Sequence, residues 1–151
     1  MIATRASGTA SPVKITRIAV ATIIGANREL QQHLGDIDVL VGDPKRRRVL
    51  VIECKDLSLA RTPFEMAHEL ADLFDGVNGK KSIIEKHEAR THWVKANIRD
   101  VVTFLGGNPK GGWAVVPLIA VDEPLVAPHL RRSPIPVLSL EELKRKWPQL
   151  R

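Results

Sequence analysis

Three residues carry the chemistry in the stretch GDIDVLVGDPKRRRVLVIECKDL, residues 35–57: Asp38 ahead of one apolar run, and Glu53 and Lys55 at the close of the next. Gly42-Asp43-Pro44-Lys45 between the runs is turn chemistry, so the segment reads as a β-hairpin. Side chains alternate along a strand, which puts Glu53 and Lys55 on one face and Cys54 on the other. A tip midway between Lys45 and Arg46 sets Asp38 opposite Glu53, with Cβ atoms about 5 Å apart. A slip of one residue would send Asp38 to the other face, so the inference depends on register. Two converging carboxylates repel unless a cation sits between them. Magnesium suits that place, taking one or two carboxylates together with waters and phosphate oxygens. Asp38 and Glu53 would supply the carboxylates and the backbone carbonyl of Cys54 a third ligand. The bound ion would activate a water, and Lys55 would orient that water or hold a scissile phosphate.

The pattern Gly35-Asp36-Ile37-Asp38 followed by Val51-Ile52-Glu53-Cys54-Lys55 resembles the PD-(D/E)xK nuclease superfamily over roughly residues 35–75. This superfamily includes restriction endonucleases and Holliday junction resolvases. The resemblance assigns Asp38 as the motif aspartate, Glu53 as the acid and Lys55 as the lysine. It implies an α/β fold with a restriction endonuclease-like core, a mixed β-sheet flanked by helices. It also implies Mg2+, with Mn2+ as a substitute, and phosphodiester hydrolysis in nucleic acid, DNA first, in repair, restriction or defence. Many members carry a further glutamate upstream. Glu29 is the candidate for it here, and Asp36, two residues before Asp38, is another possible acid.

The elements that must position these residues follow from pattern. Residues 1–12 are Ser-, Thr-, Ala- and Gly-rich and read as a flexible segment, with residues 13–151 as one domain. Val13 to Ile24 is β-branched and strand-like, and Ala26 to Leu34 continues as a short helix or a loop. Thr62-Pro63-Phe64-Glu65 opens a helix that should stop at Gly76, with Phe64, Ala67, Leu70, Ala71 and Phe74 buried. The outward face of that helix is then Glu65, Glu69 and Asp72. Ser82-Ile83-Ile84-Glu85 opens a longer helix ending at Gly106, its core side Ile84, Val94, Ile98, Val101, Val102 and Leu105. His87 falls on that core side as a packed, hydrogen-bonded residue, while Trp93 falls away from it, to pack under the C-terminal segment or stack on a base. Trp113 to Val121 and Ile135 to Leu138 read as strands, and Ser139 starts a basic terminal helix. Strands, then helices, then a returning strand describe a mixed sheet with helices packed on it.

A net charge of +6 over 151 residues, with a pI near 9.8, favours a polyanionic partner. Lys80 and Lys81 precede the N-terminus of the long helix, where backbone N–H groups already suit phosphate, and Lys95 and Arg99 follow on its flank. Arg46, Arg47 and Arg48 are the densest basic run but sit near the hairpin tip, far from Glu53. A single cysteine excludes an internal disulfide and a multi-cysteine zinc site, and Cys54 reads as a core residue rather than a nucleophile. No apolar run reaches the ~20 residues of a membrane span. Ile18 to Ala26 imitates a secretory leader but is better explained as a buried strand, so a cytoplasmic location is expected. Two copies of the chain as a homodimer would allow both strands of a duplex to be cut. The rival readings are a catalytically inactive restriction endonuclease-like domain that binds nucleic acid or protein, and a small enzyme using the Cys54 thiol.

Overall fold

The computed structural model describes residues 18–19, 34–57 and 59–150. A short pair, β1 (Ile18–Ala19) and β2 (Asp36–Ile37), runs antiparallel. The remainder of the Val13–Ile24 strand expectation, the segment up to His33 and Glu29 lie outside the described residues. The main sheet has four strands: β3 (Val39–Asp43), β4 (Arg48–Lys55), β5 (Ala114–Val121) and β6 (Val137–Ser139), in that spatial order. β3 and β4 form the expected hairpin, with Val39 opposite Ile52 and Asp43 opposite Arg48. The turn is closed by Asp43, whose Oδ1 accepts the N–H groups of Lys45 (3.0 Å) and Arg46 (3.2 Å). β4–β5 and β5–β6 are parallel, so the sheet is mixed.

Alternation along β4 divides the core. Val49 and Val51 pack with Leu40, Trp93, Val94, Val101 and Val102 beneath the helices that connect β4 to β5. Leu50 and Ile52 face the other way, packing with Leu118, Leu138, Leu143 and Trp147. The protein is therefore an α/β structure with helices on both faces of its sheet. On the first face lie α1 (Pro63–Leu70), a wider π turn (Ala71–Asp75), α2 (Ile83–Ala96) and α3 (Ile98–Phe104). α4 (Ala127–Leu130) is a single turn before β6, and α5 (Leu140–Leu150) covers the second face. Both capping boxes form as expected: Thr62 with Glu65 and Ser82 with Glu85 each bond reciprocally.

Three expectations about the helices change. The long helix is two, because Asn97 leaves helical geometry (φ −113°, ψ 28°) while its side-chain amide donates to the Trp93 carbonyl at 2.9 Å. Trp93 is buried in the core with Ile37 and Leu40, since β2 and Leu34 extend that core beyond the main hairpin. It is therefore not a base-stacking residue. The stripe of α1 is rotated as well: Phe64 is 73% exposed and Ala67 is exposed, whereas Leu73 and Glu69 are buried. The covered face runs through Met66, Glu69, Leu70 and Leu73 at ordinary 3-and-4 spacing, turned away from Phe64 and Ala67. Glu69 belongs to the interior because its Oε1 accepts the N–H of Ala127 at 2.6 Å, satisfying the first turn of α4. Among the described residues, no helix is long and apolar enough to cross a membrane.

Candidate functional site

The register that closes the hairpin also brings its charged residues together. The backbone ladder ends at Val39 and Ile52; the next pair would be Asp38 and Glu53. Asp38 bends out of the strand and substitutes its side chain for the backbone, with Oδ2 accepting the Cys54 N–H at 2.9 Å. Its carboxylate thus lies against the residue that follows Glu53. Glu53, on the helix-covered face with Val49 and Val51, is 3% exposed. Lys55 shares that face, and its Nζ lies 2.7 Å from Glu53 Oε1. The cluster sits at the C-terminal end of β4, beside the parallel end of β5, where open α/β sheets characteristically hold ligands.

Two residues of α2 complete the centre. Arg90, which sequence reasoning did not single out, reaches Glu53 Oε2 with Nη1 at 2.5 Å and donates from Nε to the Leu34 carbonyl at 2.6 Å. One guanidinium therefore ties the end of β4 to the segment that leads into Asp36 and Asp38. The available signal was helical spacing: Ile83, His87, Arg90 and Val94 follow a 3-and-4 repeat from the Ser82 cap, and an arginine on such a stripe needs a buried acid. His87 is fully buried, as expected, with Nε2 3.1 Å from the Val51 carbonyl. A carbonyl only accepts, so Nε2 carries the hydrogen and Nδ1, which has no partner, is left bare. Burial pushes the imidazole below its ordinary pKa, against the pull of the nearby Glu53 and Asp38 carboxylates.

Cys54 is a correction. It is exposed rather than packed in the core, because β4 outruns its cover at this end. Partial burial of the thiol raises its pKa, and the charges of Asp38 and Glu53 raise it further, against an opposing effect of Lys55. That favours the thiol over the nucleophilic thiolate.

The donor set can be compared with what a metal requires. Among the described residues, no group of three or more His, Cys, Asp or Glu side chains could hold an ion. An all-protein cage is thus not what these residues offer. Magnesium asks for less, one or two carboxylates with waters, and an ionised carboxylate oxygen bonded to a cation keeps a second lone pair. Asp38 and Glu53, with the Cys54 carbonyl, fit such a site. Asp36 lies in β2, paired with Ala19, rather than in the β3–β4 ladder. Lys80, Lys81, Lys95 and Arg99 are all exposed. Lys80 and Lys81 line a shallow cleft of about 160 Å³ with Lys86 and Asp72, at the start of the helix that carries Arg90. Arg46 and Arg47 lie in the hairpin turn at the opposite end of β4 from Glu53, and Arg48 begins that strand.

The fold and this cluster define an α/β domain with a charged centre at the end of its second sheet strand. Residues 13–112 match the family described as anti-phage protein Upx-like, and the chain belongs to that family. The matched region contains Asp38, Glu53, Lys55, His87 and Arg90. The family points to a role in phage defence. Comparison with curated proteins and with solved structures gave no match.

Proposed function

We propose that this chain is a magnesium-dependent nuclease of phage defence, with a restriction endonuclease-like core that hydrolyses phosphodiester bonds in DNA. The observation that carries the reading is the end of the hairpin: Asp38 lies at the Cys54 N–H while Lys55 and Glu53 are 2.7 Å apart. Asp38 and Glu53 hold the ion, with Mn2+ as a substitute for Mg2+. When bound, the ion supplies an activated water and neutralises charge developing on a phosphoryl oxygen. Lys55 keeps a flexible stem and a side chain 36% exposed, so it can turn from Glu53 to the scissile phosphate and place a positive charge there. Lys80, Lys81, Lys95 and Arg99 contact the phosphate backbone, consistent with the net charge of +6.

A second reading has one observation in its favour. Both oxygens of Glu53 already bond cations, Lys55 and Arg90, which is what a structural ion network would show. On this reading the domain binds nucleic acid or protein without cutting. Incubation with supercoiled plasmid, branched DNA and RNA, in Mg2+, Mn2+ or chelator, separates the two. The nuclease produces breaks that need the metal and disappear in Asp38→Asn, which keeps the acceptor for the Cys54 N–H. The binding module retards nucleic acid without cutting it, with affinity falling steeply as salt rises.

A further inference from the structure

Glu53 is held by two cations of different freedom. Lys55 has a side chain 36% exposed on a four-carbon stem, whereas Arg90 has one 11% exposed, and its guanidinium also spans to the Leu34 carbonyl. Gly35, in the left-handed region at φ +69°, is close by: a Cβ there would stand 3.5 Å from Arg90 Nη2. The guanidinium is thus pinned at both ends, while the ammonium is not. A planar guanidinium with two fixed partners loses little entropy on binding and cannot lose its proton. It is a permanent positive charge on the Oε2 side of Glu53.

We propose that Arg90 is the centre's built-in second cation, a positioning residue that holds Glu53 Oε2 so that the site takes a single divalent ion. This rests on the metal-centre reading above. Two carboxylates, Asp38 and Glu53, are already balanced by Lys55 and Arg90. An incoming divalent ion finds room when Lys55 swings away, and a second ion would have to displace an arginine that also holds the chain before β2. Arg90 repels the bound ion as well, so the charge at this position sets the ion's affinity.

Mn2+ binding to the intact protein, counted by titration against free-Mn2+ electron paramagnetic resonance, tests this without any turnover. The wild type is expected to bind one ion per chain at the site abolished by the paired substitutions Asp38→Asn and Glu53→Gln. Arg90→Gln is expected to bind Mn2+ at least tenfold more tightly, and Arg90→Lys to stay within about threefold of the wild type. A purely structural Arg90 would instead weaken binding in both variants, and that result overturns the proposal. So does a wild-type count of two, which can be read even if Arg90→Gln fails to fold. A wild-type count of zero, by contrast, refutes the metal centre itself and removes the ground on which the inference stands.

Discussion

Single residues at this centre are governed by what each buried polar atom can find as a partner. Glu53 is almost fully buried and is tolerated because two cations meet its two oxygens. His87 is tolerated for the opposite reason, by staying neutral. If protonated, it would carry an N–H on Nδ1, a buried atom with no acceptor. The depressed folded pKa has a consequence of definite sign. Below the ordinary value of 6.5 the unfolded chain takes up a proton that the folded one refuses. Stability linked to His87 is therefore fully present above 6.5 and is lost as the pH falls from there towards the depressed folded value. The slope is at most about 1.4 kcal/mol per pH unit. Urea midpoints measured from pH 7.5 downward should show that decline in the wild type and lack its His87 component in His87→Gln.

At the scale of elements, the helix that carries His87 and Arg90 must enter at a set height over the sheet, and the turn before it sets that height. Gly76 ends the π turn at φ +76°, and a Cβ there would overlap the Lys80 carbonyl oxygen, which is backbone and cannot step aside. Gly76→Ala should cost about 2 kcal/mol or more by urea unfolding, beyond the usual cost of forcing a left-handed conformation on alanine. A midpoint within error of the wild type would show that the turn gives way. The hairpin was legible in the sequence because Gly-Asp-Pro-Lys between two apolar runs constrains the register, and that register makes Asp38 and Glu53 the next pair. The two capping boxes were legible for a similar reason, being contacts between residues three apart. What was not legible depends on partners far along the chain. Glu69 looks outward on a helical projection until Ala127 supplies a distant N–H for it. Helical spacing puts Arg90 on the buried stripe of α2 but does not name Glu53, 37 residues earlier, as its partner, and Trp93 needed β2 to cover it.

Considered whole, the molecule places its charged cluster at one end of the sheet and its hairpin arginines at the other, with exposed lysines at the start of α2. The family places the chain in phage defence, and under the proposed reading its net charge of +6 would serve the approach to nucleic acid. What separates an enzyme from a binder of the same shape is whether Lys55 acts on a phosphate or merely neutralises Glu53. The most direct measurement is the single-turnover nicking rate of supercoiled plasmid at saturating Mg2+ for the wild type and Lys55→Met, with thermal melting confirming that both are folded. Loss of a fixed charge at the transition state predicts a fall of about 100-fold or more with Mn2+ binding retained. Equal rates, or no nicking by the wild type at any Mg2+ or Mn2+ concentration, would contradict the account.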